Sequence, residues 1–327
     1  MRVAGWVMCA LVAGALAACG SNEPPKSGKQ TGAANARPAK KEDATAAEVA
    51  RESRGKVKCP PKIKSAPRAA GAPVDDVLGV RPGLTYDEAA AFVMCSHDLL
   101  IVTPDPRGRF QIQTFGQSHR WGFGAALAQP RVTVKKTDRD YRRELQDRAI
   151  AAGTNRASTR AQPGQVSWYV ATMGAPGEDR VISFAREEWF EEERLPTVAS
   201  VEQALIKKYG TPTQRFGNQP RFNLRWAYDP LGRLISETSP LFRVCHGNSS
   251  PSGATNFSPD CGIVVQAQIQ SLRDNPDIAQ SLQVGVMDQA NGYEAIQRTE
   301  QAFQQMEAQR RARQVEDAQQ NSEAPRL

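Results

Sequence analysis

The residues best suited to chemistry in this sequence are Cys-Ser-His-Asp at positions 95–98, which place a thiol, a hydroxyl, an imidazole and a carboxylate side by side. A nucleophilic relay needs these groups to converge, whereas consecutive residues of a helix point about 100° apart. We also expect Cys95 to be oxidised, and a disulfide sulfur is not a nucleophile because the thiolate is the reactive species. We therefore interpret the tetrapeptide as structural, with a relay completed by His119 or His246 as the alternative.

The other groups that could catalyse a reaction or bind a metal are dispersed along the chain. The histidines are His97, His119 and His246, and this wide separation does not resemble the spacing of zinc ligands. Five glutamates lie between Glu187 and Glu193, but no calcium-loop glycine accompanies them, so we interpret them as solvated. Phosphate-loop, zinc-protease and serine-hydrolase motifs are absent from the sequence. We expect no cofactor, no metal and no catalytic residue.

The first 19 residues have the pattern of an export signal. One arginine precedes an apolar run at 3–18, which is shorter than the roughly 20 residues of a membrane-spanning helix. Leu-Ala-Ala-Cys at 16–19 resembles the bacterial lipoprotein signal, which implies that residues 1–18 are removed and that Cys19 carries lipid. Several acyl chains on one residue attach a protein firmly to a membrane. The Gly-Ser dipeptide after the cysteine favours an outer membrane. The sequence leaves a periplasmic and a surface orientation open, and we take the periplasmic one as the expectation.

Residues 19–72 are rich in Ala, Pro, Lys, Ser and Gly and poor in large apolar residues, so we expect a flexible tether. Residues 1–70 contain 13 Lys or Arg and five Asp or Glu, whereas the rest of the chain has 29 basic and 30 acidic residues. The tether could therefore follow anionic lipid or peptidoglycan, or simply be solvated. A nucleic-acid-binding domain needs its basic residues on a folded face, so we expect no nucleic-acid partner.

Four cysteines remain once Cys9 leaves with the signal and Cys19 is acylated. Outside the cytoplasm four cysteines favour two disulfides, and three connectivities are possible. Residues 246–260 form a turn-rich loop between Cys245 and Cys261, which favours a local bridge between these two cysteines. The remaining pair is then Cys59 with Cys95.

The sequence of the body favours an α+β fold in which helices pack on an antiparallel sheet. We expect a first unit at 73–195, with a helix that begins with a Thr85–Glu88 capping box. A strand at 108–116 and a hairpin at 166–190 follow this helix. An Arg-rich insertion at 117–163, with a short strand at 131–136 and a helix at 138–152, separates the strand from the hairpin.

A second unit is expected at 196–290. Its helix at 198–209 is predicted to be capped by Ser200 with Gln203, and a strand follows in which Phe222, Leu224, Trp226 and Tyr228 share one side. Two more strands, at 261–272 and 282–288, are predicted to flank a short helix that begins at Pro276. Residues 291–327 form a polar C-terminal helix and tail, which either packs briefly on the body or forms a partner-binding coil. Because a helix precedes strands in both units, an internal duplication is one interpretation.

Two segments of the body resemble small outer-membrane lipoproteins of the SmpA/OmlA, or BamE, type. Gly-Leu-Thr-Tyr-Asp-Glu at 83–88 resembles the start of that family's helix, and residues 209–235 are similar to its Gly-Thr-Pro turn followed by a strand with Trp-x-Tyr. The resemblance implies a turn at 210–212 and places Trp226 and Tyr228 on the sheet. About 120 residues separate the two segments here, whereas that family is much smaller. The repeated order of a helix followed by strands is also similar to the arrangement in the tandem-repeat β-lactamase inhibitor proteins. Those proteins bind an enzyme across an exposed sheet face.

Both resemblances imply protein binding without catalysis. The leading hypothesis is a lipid-anchored envelope protein with an assembly or structural accessory role. The candidate anchors for a protein partner are the sheet aromatics Trp168, Tyr169, Trp226 and Tyr228, since aromatic residues dominate interface energetics. The second hypothesis is an inhibitor-like lipoprotein that reaches a soluble enzyme with the loop at 246–260. The third is an envelope-polymer hydrolase with His97, His119 or His246 as its general base.

Overall fold

A computed structural model describes residues 43–60, 68–105, 112–131, 163–251, 253–254 and 256–322, together with residues 139 and 143. The described chain has an α+β fold, as predicted: helices pack against one large antiparallel sheet of eight strands. The strands β1 to β10 are, in chain order, Leu100–Pro104, Gly122–Leu127, Val166–Met173, Arg180–Trp189, Gln214–Asn218, Arg221–Ala227, Ser249–Ser250, Gly253–Ala254, Ile263–Ser271 and Ala279–Asp288. The short strands β7 and β8 pair only with each other.

The order of the eight strands across the sheet is β1-β2-β3-β4-β10-β9-β6-β5. Helix α2 (Tyr86–Cys95) precedes the run β1 to β4, and helix α3 (Val198–Tyr209) precedes the run β5, β6, β9 and β10. Each run therefore starts at an outer edge of the sheet and ends at its centre. The two runs meet where β4 pairs with β10 over seven residue pairs, so their strands share one hydrogen-bonded ladder.

Local sequence explains where these two helices begin. The Thr85 hydroxyl accepts a hydrogen bond from the Glu88 amide and the Glu88 carboxylate accepts one from the Thr85 amide, which confirms the predicted capping box. The predicted cap of α3 is wrong, because Thr197 caps this helix by accepting from the Ser200 amide. Ser200 lies inside the first turn, and its hydroxyl donates to the Thr197 carbonyl.

Three other predicted elements differ from the structure. Residues 112–114 of the predicted strand at 108–116 are not in a strand, and residues 106–111 lie outside the described chain. The predicted short helix at Pro276 is a turn closed by a hydrogen bond from the Ile278 amide to the Asn275 carbonyl, since only two residues separate Pro276 from the start of β10 at Ala279. In the predicted insertion, β2 forms at Gly122–Leu127, while residues 132–138 and nearly all of the predicted helix at 138–152 lie outside the described residues.

The predicted flexible segment at 19–72 contains a helix that the prediction missed, while its residues 19–42 and 61–67 lie outside the described chain. Residues Ala46–Arg54 form helix α1, which begins with a Thr45–Glu48 capping box. The Arg54 guanidinium donates to the backbone carbonyl oxygens of Met94 and Asp98, at 3.3 and 2.9 Å. The predicted Cys59–Cys95 disulfide is present and joins this segment covalently to the end of α2. These contacts attach residues 43–60 to the body despite their polar composition.

The main hydrophobic core lies between the sheet and helices α2 and α3. Side chains of a strand alternate between its two faces, and in β6 Phe222, Leu224 and Trp226 point toward the helices. The Trp226 ring lies 5.2 Å from that of Tyr209 in α3, and its indole nitrogen donates to the Gly210 carbonyl at 2.8 Å. The Trp226 side chain therefore joins the predicted strand β6 to the C-terminal end of helix α3.

Helix α4 (Gln289–Asn321) packs against part of the opposite face of the sheet. Phe303 is fully buried, and its ring lies 5.8 Å from the ring of His119. Tyr169, Ala171, Met173 and Ile182 form a second apolar cluster beneath the helix, with Ala295 and Ile296 packed against it. After Glu307 every residue of the helix is exposed, so the last turns extend away from the body. Among the described helices, none is both long and apolar enough to cross a membrane.

Candidate protein-binding face

The loop predicted as a probe for a soluble enzyme is packed on the sheet. The predicted Cys245–Cys261 disulfide closes this loop, and both cysteines are buried beside Ala227, Ile235 and Val264. Strand β7 in the loop contacts β4 and β10. Its Ser249 is buried, and the Ser249 carbonyl oxygen lies directly over Gly285, where a side chain would overlap it. The loop therefore covers part of the same sheet face as α4.

The predicted aromatic anchors are located mainly in the core. Trp168, Tyr169 and Trp226 are each at most 3% exposed, so the expectation that these three form an exposed binding face is not met. They are large apolar groups on central strands, and burial of such groups is strongly favourable. Tyr228 is half-buried and packs against the helix-side core, and burial raises the pKa of its hydroxyl.

The candidate relay residues also have structural surroundings. Cys95 is in its disulfide, and the Ser96 hydroxyl donates to the Val93 carbonyl at 2.7 Å. The His97 Nδ1 atom accepts a hydrogen bond from the Leu99 amide at 3.1 Å. The exposed His246 follows a buried disulfide cysteine. In the described part of the chain, no three His, Cys, Asp or Glu residues are grouped so that they could hold a metal ion.

The most distinctive polar feature of the fold lies on the face opposite α2 and α3, beyond the ends of α4 and the β7–β8 loop. Because residues alternate along each strand, the residues between the buried ones of β6 and β9 project from this face. The ladder places Arg221 opposite Gln270, Asn223 opposite Gln268, and Arg225 opposite Gln266. On the neighbouring strand, Gln283 of β10 is opposite Gln268. We call this surface the amide face; it comprises Arg221, Asn223, Arg225, Gln266, Gln268, Gln270 and Gln283.

Hydrogen bonds between side chains connect the amide face across strands. The Asn223 side-chain oxygen accepts from the amides of both Gln266 and Gln268, at 3.3 Å each. The Arg221 Nε donates to the Gln270 side-chain oxygen at 2.9 Å. An amide that is held in this way still has donors and acceptors to offer to a second molecule. Gln268, Gln270 and Gln283 keep partial exposure, so these groups reach solvent.

Arg225 is the most unusual residue of the amide face. Its guanidinium donates to the side-chain oxygens of Gln266, at 3.1 and 3.3 Å, and Gln214, at 3.2 Å, and lies 4.5 Å from the centre of the Phe216 ring. No carboxylate of the described residues lies within ion-pair distance of it. Burial lowers the pKa of Arg225 because the cation is partly removed from water.

The amide face has an aromatic and acidic border on β4. Ser281 of β10 is opposite Trp189, and Gln283 is opposite Glu187. Burial raises the pKa of the Glu187 carboxyl, although the charge of Arg221 opposes this effect. Phe216 on β5 and Trp189 on β4 therefore flank a polar surface, and both are half-buried.

A signal for the amide face was available in the sequence. Glutamines alternate with apolar residues at 266, 268 and 270, and this pattern predicts a strand with one polar face. The sequence interpretation instead selected large aromatic residues as binding anchors.

Comparison of the chain with protein-family models, with curated proteins and with solved structures finds no match.

Proposed function

We propose that this protein is a non-catalytic, lipid-anchored protein of the cell envelope that binds another protein through its amide face. The observation that carries the proposal is the state of Arg225, a half-buried cation held by two glutamines and an aromatic ring with no carboxylate in the described chain beside it. Arginine and aromatic residues are the types that contribute most to binding energy at protein interfaces.

A protein partner fits this surface better than a small molecule. The face lies on paired strands of a sheet and presents side-chain amides, which donate and accept hydrogen bonds. Small-molecule sites are concave and mostly apolar. Interfaces between proteins carry about one hydrogen bond for every 100–200 Å² and enclose polar groups of this kind.

The anchor follows from the N-terminal pattern. We propose that residues 1–18 are removed, that Cys19 is acylated, and that the lipid holds the protein in the outer membrane facing the periplasm. The two disulfides support an oxidising compartment, because disulfides rarely persist in the cytoplasm. An inhibitor-like lipoprotein that binds a soluble enzyme would use the same face, so the identity of the partner separates these two roles.

The proposal is tested by incorporating a photo-crosslinking amino acid at Gln283, the partly exposed member of the amide face on β10, in the full-length lipoprotein in intact envelopes. The expected result is one cross-linked protein, identified by mass spectrometry, and a membrane protein would support the assembly role. A matched probe at Glu237, an exposed residue outside the sheet, should not give this product. If Gln283 gives no specific product, the amide face is not a protein-binding surface.

The anchor is tested separately with Cys19→Ala. The variant should lose acyl mass and membrane attachment, and a membrane-embedded partner should then no longer cross-link at Gln283. A soluble partner that still cross-links to the unacylated variant would favour the inhibitor-like role. Retention of the variant in the membrane fraction would contradict anchoring through Cys19.

A further inference from the structure

One end of the amide face opens into a cavity of about 550 Å³. The cavity lies beside the β9–β10 turn and the start of β6. Its lining residues are Pro220, Arg221, Gln270, Leu272, Arg273, Asp274 and Gln280. Two guanidinium groups and one carboxylate therefore surround it. At neutral pH the lining carries a net charge of about +1.

A chain of hydrogen bonds orients the first arginine. The Arg221 Nε donates to the Gln270 side-chain oxygen at 2.9 Å, and the Gln270 amide donates to the Gln280 side-chain oxygen at 3.0 Å. The bond through Nε fixes the plane of the guanidinium. The two terminal nitrogens have no hydrogen-bond acceptor among the described residues, and such a pair matches the two oxygens of a carboxylate.

Neither Arg221 nor Arg273 forms an ion pair with a carboxylate of the described residues. Asp274 lines the same cavity, and the charge of Arg221 acts on the Glu187 carboxyl at longer range. Arg273 is exposed on the turn, so an incoming group can approach both cations from solvent. A single added carboxylate would balance the net charge, whereas a phosphate dianion would exceed it and lie close to Asp274.

The cavity is continuous with the desolvated cation of the amide face. Arg225 follows Arg221 by four residues on the same strand, which corresponds to about 13 Å along an extended chain. Because side chains alternate, both arginines project from one face. An extended acidic segment that lies along β6 could therefore place one carboxylate at the cavity and another at Arg225.

We propose that this cavity binds a carboxylate of the protein partner, supplied by an aspartate or glutamate on a segment that lies across the amide face. The inference rests on the proposed function and adds the chemistry of the partner. It assigns Arg221 and Arg273 as the residues that bind the carboxylate, with Gln270 and Gln280 as the residues that position Arg221.

The test combines charge reversal with cross-linking from two positions in the full-length, acylated protein. Photo-crosslinkers are placed at Leu272, in the cavity, and at Gln283, on the amide face. The variant carries Arg221→Glu and Arg273→Glu, and its matched control is Arg243→Glu, an exposed arginine that does not line the cavity. Thermal unfolding of each purified variant confirms that the fold is retained.

The expected partner peptide at Leu272 contains an aspartate or glutamate, and the double reversal should lower the cross-link yield about tenfold or more. Changing that partner acid to lysine should restore the yield with the double variant, while Arg243→Glu should leave it unchanged. An unaltered yield in the double variant, no rescue by the lysine, or an equal loss in the control would overturn the inference. A lipid or glycan cross-linked at Leu272 in place of a peptide would overturn it too.

The two positions separate the failure of this inference from failure of the proposed function. Cross-linking at Gln283 that persists unchanged in the double variant would retain the amide face as a binding surface and reject the carboxylate site. Loss of specific products at both positions in the unmodified protein would reject both proposals.

Discussion

The guanidinium of Arg225 donates two hydrogen bonds to the side-chain oxygen of Gln266, the residue directly opposite it on the neighbouring strand. A cation on a half-buried sheet face would ordinarily be stabilised by a carboxylate. Here a neutral amide holds it in place, which orients the charge without cancelling it. The charge of Arg225 is therefore not balanced by a carboxylate of the described residues, and the proposed function uses this charge to bind an anionic group of the partner.

Replacement of Arg225 by Met should therefore separate stability from binding. We expect a loss of about 1–2 kcal/mol in the free energy of unfolding, because the buried Gln266 side-chain oxygen loses its donor, while methionine keeps an apolar chain against Phe216 and removes a desolvated charge. Cross-linking to the partner from Gln283 should fall by about tenfold. Denaturant unfolding and the cross-link yield measure the two effects. A large loss of stability with unchanged binding would assign Arg225 a structural role.

Close packing of the β7–β8 loop on the sheet predicts that Gly285→Ala is disruptive. An alanine Cβ would overlap the backbone carbonyl oxygen of Ser249, and backbone cannot move as easily as a side chain. We expect a loss of about 2 kcal/mol or more in the free energy of unfolding. Gly124→Ala in β2 is the control, since its nearest atom would be 3.7 Å away. Equal stabilities of the two variants would contradict the described position of the loop.

The Cys245–Cys261 bridge should hold this loop in place. The cysteines are 16 residues apart, and a loop of about 15 residues corresponds to about 3 kcal/mol in the chain-entropy model. The variant Cys245→Ala with Cys261→Ala is expected to lose stability of that order in denaturant unfolding. Its loop amides should also exchange faster with solvent than those of β9. Unchanged stability and unchanged exchange would show that packing alone holds the loop.

The elements that were predicted correctly have strong local signals. Phe222, Leu224 and Trp226 alternate with polar residues, and Thr85 with Glu88 forms a complete capping box. Helix α1 was not predicted, because its polar and alanine-rich residues resemble a linker and its docking depends on Arg54 and the Cys59 disulfide. Such long-range contacts are not visible in a local pattern.

Strand β2 and the amide face show two further limits of sequence reasoning. Residues 122–127 are mostly glycine and alanine, which have low strand propensity, and pairing with β1 and β3 on both sides makes them a strand. The amide face requires residues 221–225 and 266–283 to be adjacent. The sequence predicts each strand separately, but only the order of strands in the sheet brings their polar residues together.

The contact between His119 and Phe303 predicts that docking of α4 depends on pH. The His119 ring lies between Trp121, with ring centres 4.4 Å apart, and Phe303, and its Nε2 atom has no hydrogen-bond partner in the described structure. Burial lowers the pKa of His119, although the charge of Asp179 opposes this effect. The unfolded chain therefore binds a proton at a higher pH than the folded protein does. The neutral His119 ring therefore contributes to the free energy of unfolding above about pH 6.5. This contribution is lost as the pH falls below that value.

The variant His119→Phe should remove this pH dependence, because phenylalanine keeps an aromatic ring against Phe303 and does not titrate. We expect the stability of the unmodified protein relative to the variant to fall between about pH 7.5 and pH 5, by at most about 1.4 kcal/mol per pH unit. Amide exchange of residues 299–307 should accelerate over the same interval only when His119 is present. His97 and His246 are unchanged in the variant and provide a common background. A parallel pH dependence in both proteins would show that protonation of His119 does not control the docking of α4.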